Sequence, residues 1–117
     1  MEDYIKNEKK LKKSIEILES TFSNSGLKVE NVGVQFAEMI GGTGIKFFCE
    51  VLAIADIPLD EQFNIKINVY DKNGDLISMG SEAFNSNKFT GYDTFAIAVF
   101  HDTIHTTAAK AKIYLTK

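Results

Sequence analysis

Residues 63–80 carry the clearest pattern of hydrophobic and polar positions in the chain. The alternating apolar residues are Phe63, Ile65, Ile67 and Val69. A period of two with β-branched side chains is typical of a strand that buries one face. Asn73-Gly74 follows, and this dipeptide readily adopts the positive φ angles of a tight turn. The pattern therefore predicts a β-hairpin, whose return strand covers residues 76–84.

The first 22 residues follow a helical period instead. One stripe collects the apolar residues Tyr4, Leu11, Ile15, Leu18 and Phe22. This spacing predicts an amphipathic helix over residues 3–22, ended by Ser23-Asn24-Ser25-Gly26. Because exposure of such an apolar stripe to water is unfavourable, the helix must dock on the rest of the chain or on another molecule.

From Leu27 onward the period is two, which predicts further strands at residues 32–36, 45–56, 94–100 and 111–116. The segment 45–56 is apolar at nearly every position, so we expect a central strand covered on both faces, by the helix on one of them. The glycine-rich residues 41–44 are expected to form a flexible turn before it. No helical stretch separates the strands, and the chain length suits one domain. We therefore expect an antiparallel β-sandwich over residues 27–117 behind an N-terminal helix at 1–22, with a small closed barrel as the alternative.

Composition adds little to this architecture. Apolar residues make up 44% of the chain and charged residues 25%, which are ordinary globular values. No apolar run approaches the length of a membrane span, and the N-terminus does not resemble a signal peptide. We expect a cytoplasmic protein if Met1 is the native start, and an envelope-associated one if a signal has been removed. Cys49 is the single cysteine, so no internal disulfide can form.

The charge pattern disfavours a nucleic-acid partner. All thirteen basic residues are lysine, and the net charge is −3. Arginine normally supplies bidentate contacts to phosphates and guanine edges, and the acidic balance points in the same direction. A genome rich in A and T would produce the same exchange of arginine for lysine, so both explanations remain open.

Two groups of residues have the spacing of metal ligands. Asp71, Asn73, Asp75 and Glu82 match ligand positions of a calcium loop. Leu76 replaces the required glycine, so a turn in which Asp and Asn cap their own backbone is favoured. His101 and His105 could share a zinc ion on a helix, but a loop is expected there and no third ligand is evident. We expect no metal site, no cofactor and no catalytic residue, with Cys49 packed in the core.

A family resemblance appears in the second half of the chain. Residues 67–71, which read Ile-Asn-Val-Tyr-Asp, and the turn after them resemble the hairpin of the FxLYD family of immunoglobulin-like β-sandwich domains. Residues 91–95 and 110–114 resemble later segments of the same family, so the likeness covers residues 45–117. Together with the six or seven strands that the pattern predicts, it implies an immunoglobulin-like sandwich with a binding role and no catalytic residues. That family occurs mostly in secreted or lipid-anchored bacterial proteins, whereas this chain adds a helix and shows no signal.

These observations predict a non-enzymatic protein-binding or accessory module. Phe89, Tyr92, His101 and His105 are the candidate partner contacts, since loop aromatics often anchor interfaces and histidines can make them pH-dependent. The alternative is a self-assembling structural subunit that pairs through Tyr4, Leu11, Ile15, Leu18 and Phe22. A small enzyme or ligand-binding protein with a pocket between helix and sheet is a third hypothesis, although no small-molecule ligand is expected.

Overall fold

The chain folds into two β-sheets that pack face to face, with short helical segments at their margins. The computed structural model describes residues 2–39, 42–101 and 103–117. The strands are β1 (Ile15–Ile17), β2 (Leu27–Met39), β3 (Gly42–Ala53), β4 (Gln62–Tyr70), β5 (Leu76–Asn85), β6 (Tyr92–Phe100) and β7 (Lys110–Thr116). The helices are α1 (Glu2–Lys13), α2 (Glu19–Ser23) and α3 (Ile104–Thr107), and a 3₁₀ turn spans Ser86–Lys88. None of the described helices is long and apolar enough to cross a membrane.

The first sheet has the strand order β1-β7-β4-β5, and the second has the order β2-β3-β6. The prediction of a mainly β, sandwich-like protein is confirmed, and two separate sheets replace the closed-barrel alternative. All strand pairs are antiparallel except β1 and β7, which are parallel. The expectation of a wholly antiparallel arrangement is therefore wrong at this one edge.

The core lies between the sheets and is built from alternate residues of their long strands. Along β4, Phe63, Ile65, Ile67 and Val69 are fully buried, and the residues between them are partly exposed. Strand β3 contributes Ile45, Phe47, Cys49 and Val51, and β6 contributes Phe95, Ile97 and Val99. The period of two predicted for these segments is thus the period with which side chains enter the core.

The N-terminal region is not one helix, which corrects the prediction for residues 3–22. Helix α1 ends at Lys13, and Ile15–Ile17 form β1 beside β7. Ile15 and Ile17 are β-branched residues two positions apart, so they suit a strand that packs one face on the core. A helix could not offer backbone groups to the open edge of β7. Pairing with that edge therefore prevailed over the helical spacing of the apolar residues.

Strand β5 closes one side of the sandwich against β6. Gly80 in β5 lies so close to β6 that an added Cβ would stand 2.7 Å from the carbonyl oxygen of Ala98. Two residues earlier in β5, the Ser78 hydroxyl donates a hydrogen bond of 2.5 Å to the carbonyl oxygen of Phe100. Consequently the edge of β6 that does not pair with β3 faces β5 rather than open solvent.

Candidate protein-interaction surface

Strand β3 exposes apolar side chains on the side away from the core. It is the central strand of the three-stranded sheet, as predicted, with β2 and β6 as neighbours. Lys46 is exposed, and Phe48, Glu50 and Leu52 are half-buried. The prediction that this strand is covered on both faces is wrong, because α1 packs beside β2 instead of over β3. The near-continuous apolar pattern therefore has a different cause, which is an apolar surface on the outside of the sheet.

Phe48 occupies the centre of this surface and is surrounded by small residues. The strand register places Gly33 of β2 on one side of it and Ala96 of β6 on the other. A Cβ added at Gly33 would lie 3.7 Å from the Phe48 ring, in ordinary van der Waals contact, so the ring covers the glycine. Ala98, the next outward residue of β6, is exposed as well. Small neighbours leave the aromatic ring accessible from above.

Two further aromatic residues lie at the ends of β6 on the same face. Tyr92 is 53% exposed and Phe100 is 51% exposed, and both lie on the same side of the sheet as Ala96. We name this surface the outer face. It comprises Gly33, Gln35, Lys46, Phe48, Glu50, Leu52, Tyr92, Thr94, Ala96, Ala98 and Phe100. Clustered apolar side chains with few charges are characteristic of protein interaction sites.

The outside of the four-stranded sheet is more polar along its two central strands, β4 and β7. Its side chains contact one another. The Tyr114 hydroxyl donates to Asn68 Oδ1 at 3.3 Å, and Asn68 Nδ2 donates to the Tyr70 hydroxyl at 3.2 Å. The Lys112 ammonium lies 5.5 Å from the centre of the Tyr70 ring. Lys66, on the same side of β4, adds another positive charge. This surface is polar and basic along β4 and β7, whereas on β5 it exposes Leu76 and Met79, by 50% and 58%.

The structure separates the four predicted partner contacts into two pairs. Phe89 and Tyr92 lie at the start of β6, and His101 directly follows its other end, nine residues or about 30 Å from Tyr92. Only Tyr92 belongs to the outer face. Phe89 packs on Phe84 with ring centres 5.6 Å apart, so it is largely part of the core margin.

The two histidines lie on either side of residue 102, which is outside the described residues. The Nδ1 atom of His101 is 3.3 Å from the backbone nitrogen of Thr103. His105 belongs to the single turn α3, where a loop was expected, although no helix contains both histidines. In the described part of the chain, no group of three or more His, Cys, Asp or Glu side chains could hold a metal ion.

The predicted oligomer contacts are distributed over several elements. Leu11 in α1 and Phe22 in α2 are almost fully buried in the chain's own core. Ile15 in β1 and Leu18 after it are half-buried, and the side chain of Tyr4 lies outside the described side chains. Self-association through Leu11 or Phe22 would thus require undocking of the helices from this core.

A cleft of about 680 Å³ lies where α1, the β4–β5 turn and α3 meet. Lys10, Lys13 and Lys72 line it, together with Asp71. The three ammonium groups would attract an anion, but all three lysines are exposed to solvent. The Asp71 Oδ1 atom already accepts hydrogen bonds from the backbone nitrogens of Asn73 and Asp75, as expected for a residue that caps its own turn. The hypothesis of a small-ligand site near the helix stays a prediction.

Cys49 is fully buried on the inward side of β3. Desolvation by burial raises the pKa of its thiol to about 12 from an ordinary 9.0. Because the thiolate is the reactive form, this cysteine is chemically inert at neutral pH. Its expected role in core packing agrees with this environment.

The sequence analysis did not identify Phe48, Leu52 or Phe100 as surface residues. A signal for them exists in residues 94–100, where alanines at 96 and 98 alternate with large apolar residues. Such alternation indicates that one side of the strand lies in the core, whereas the other side carries small apolar residues at the surface.

No protein-family model, curated protein or solved structure compared with this chain matches it.

Proposed function

We propose that this protein is a non-enzymatic binding module, and that it recognises another protein through the outer face of its three-stranded sheet. The observation that supports this role is the set of aromatic residues on one side of the sheet, with Phe48 half-buried at the centre and Tyr92 and Phe100 exposed at the two ends. Aromatic residues carry much of the binding energy of protein interfaces because they bury a large area with few rotatable bonds. The alanines between them would let a partner approach the sheet closely.

The rigidity of this surface favours binding without rearrangement. The Phe48 ring covers Gly33, and the strand beneath it is fixed by Phe47 and Cys49 in the core. A preorganised surface loses little conformational entropy when a partner docks. The outside of the other sheet also exposes Leu76 and Met79. Its two tyrosines, Tyr70 and Tyr114, already share hydrogen bonds with Asn68, so it is the weaker candidate.

An immunoglobulin-like topology is part of the proposal. The strand order β2-β3-β6 corresponds to A-B-E of such sandwiches, and β5-β4-β7 corresponds to C′-C-F. Strand β1 occupies the place beside β7 where the last strand of that fold would lie, but it runs parallel. These correspondences support an immunoglobulin-like topology. The likeness to FxLYD domains, whose implied role is also binding, rests on the sequence resemblance alone.

A charge inserted in the outer face tests this function. Ala96→Glu places a carboxylate beside Phe48, and Ser81→Glu is the matched control, since Ser81 is an exposed strand residue on the other sheet. Immobilised wild-type chain and both variants would be exposed to lysate of the source cell. Retained proteins would be identified by mass spectrometry, and their binding measured again with purified components by calorimetry.

We expect the wild type and Ser81→Glu to bind the same protein, and Ala96→Glu to bind it at least tenfold more weakly. Circular dichroism and thermal unfolding would verify that both variants are folded. Equal binding by Ala96→Glu would assign recognition to another surface. The absence of any specific partner for the wild type, itself included, would contradict a protein-binding role.

A further inference from the structure

The central charges and the exposed aromatic residues of the outer face are arranged symmetrically about the row Gly33–Phe48–Ala96. On β3, Lys46 lies two residues before Phe48 and Glu50 lies two residues after it. Both point outward, and each is about 6.6 Å from the central row. The two positions therefore carry opposite charges at equal distances from the centre of the face.

Neither of these charges is paired within the described part of the chain. The ion pairs that it contains join Lys28 to Glu30, Lys110 to Glu16, and Lys117 to Glu61. Lys46 and Glu50 are about 13 Å apart along the strand, too far to meet each other. Both are available to an incoming molecule.

The aromatic residues repeat the same symmetry on β6. Tyr92 lies four residues before Ala96, and Phe100 lies four residues after it. Their exposed fractions are nearly equal, at 53% and 51%. On β2, the register places Gln35 beside Lys46 and Asn31 beside Glu50, so a polar amide stands at each corresponding position.

A two-fold axis along the central row would use this pattern. This axis stacks the outer face of a second copy on the first, with the two β3 strands antiparallel. A residue that precedes the central row in one copy then lies opposite a residue that follows the row in the other. Lys46 would then oppose Glu50 of the second copy, twice per dimer, and Tyr92 would oppose Phe100. A two-fold axis along the strands would instead place Lys46 over Lys46 and Glu50 over Glu50, which is repulsive.

We propose that the outer face binds a second copy of this chain, related by a two-fold axis along the row Gly33–Phe48–Ala96. This inference rests on the proposed function, and it names the partner of the same surface. The self-complementary charges are the reason to choose a second copy over an unrelated protein. Paired charges of this kind set register and exclude the alternative orientation more than they add affinity.

The size of the face indicates a weak dimer. Three strands about 4.8 Å apart and about 30 Å long offer roughly 400 Å² of projected surface per copy. Stable interfaces bury about 800 Å² per partner, so we expect a dissociation constant in the micromolar range or above. Sheets stacked in this way cross at about 30°. Because Lys46 and Glu50 lie close to the two-fold axis, this crossing shifts each of them by only about 3 Å relative to its partner charge.

Charge reversal provides a specific test with the full-length chain. Lys46→Glu leaves two acids on β3, and Glu50→Lys leaves two lysines, so each variant alone should repel its own copies. Mixed together, they restore both opposite-charge pairs. Sedimentation equilibrium between about 5 and 500 µM would compare the wild type, each variant and their equimolar mixture. Ser81→Glu serves as a charge control on the other sheet.

We expect each single variant to dimerise at least tenfold more weakly than the wild type, and the mixture to form heterodimers with at least the wild-type affinity. Wild-type chain that remains monomeric at 500 µM would overturn the inference. So would a mixture that associates no better than its components. Neither result affects the proposed function if Ala96→Glu still abolishes binding to a different protein.

Discussion

The side chain of Glu8 in helix α1 accepts a hydrogen bond from the backbone nitrogen of Phe36 in edge strand β2, with 2.7 Å between Oε1 and the nitrogen. The two residues are 28 positions apart. The carboxylate occupies the place that a neighbouring strand would take along this part of the edge. It joins the helix to the sheet and blocks pairing of that segment with another chain.

Glu8→Ala should lower the free energy of unfolding by about 1–3 kcal/mol, because it removes a charge-assisted hydrogen bond to a partly buried amide. Glu8→Gln keeps an acceptor oxygen and should lose less. Urea unfolding of both variants against the wild type measures the difference. An alanine variant as stable as the wild type would mean that the bond contributes nothing.

Gly80→Ala should destabilise the protein by about 1–3 kcal/mol. The new methyl group would stand 2.7 Å from the Ala98 carbonyl oxygen and 2.8 Å from Val99 Cγ2, so β5 and β6 would have to separate. Gly33→Ala is the matched control, since its methyl group would meet the Phe48 side chain at an ordinary 3.7 Å. Thermal unfolding should rank Gly33→Ala well above Gly80→Ala. Equal tolerance would argue against the close approach of the two strands.

Leu11→Ala should cost about 2–5 kcal/mol of stability, because the side chain is fully buried in the core of its own chain. Lys12→Ala, at the exposed neighbouring position, should change little. Light scattering at equal concentrations should return the wild-type mass for both variants. A Leu11→Ala protein of normal stability but lower mass would restore the hypothesis that the helix stripe pairs between copies.

The buried thiol of Cys49 makes stability depend on alkaline pH. Below pH 9 the thiol is protonated in both the folded and unfolded states. Above pH 9 the unfolded chain releases the proton, whereas the folded protein holds it until the pKa of about 12 is reached. Stability therefore falls by about 1.4 kcal/mol per pH unit in this window from this group alone.

Cys49→Ala separates the contribution of the thiol from those of all other groups, which the two proteins share. Urea unfolding at pH 8, 9.5 and 10.5 should show a steeper loss of stability in the wild type than in the variant. Parallel curves for the two proteins would show that the thiol ionises as easily in the folded state as in the unfolded one.

The sequence alone determined the long strands of this protein and, along the β4 hairpin, the residues that fill its core. Alternation along β4 identifies Phe63, Ile65, Ile67 and Val69 as core residues, and the Asn73-Gly74 turn determines how β5 returns. These features are readable because a strand's period and a turn's φ angles depend on neighbouring residues alone. Much less of the candidate site was readable, since only Tyr92 of the proposed contacts lies on the outer face.

Only the tertiary structure decided which apolar residues remain outside. Phe48 and Phe47 are adjacent and chemically identical, yet one faces solvent and the other the core, because no element of the described chain covers the outer side of β3. A long-range interaction also ended α1 at Lys13, because Ile15–Ile17 pair with the open edge of β7 as a strand instead of continuing the helix. Such outcomes depend on which surfaces meet after folding, and a local pattern of residues does not contain that information.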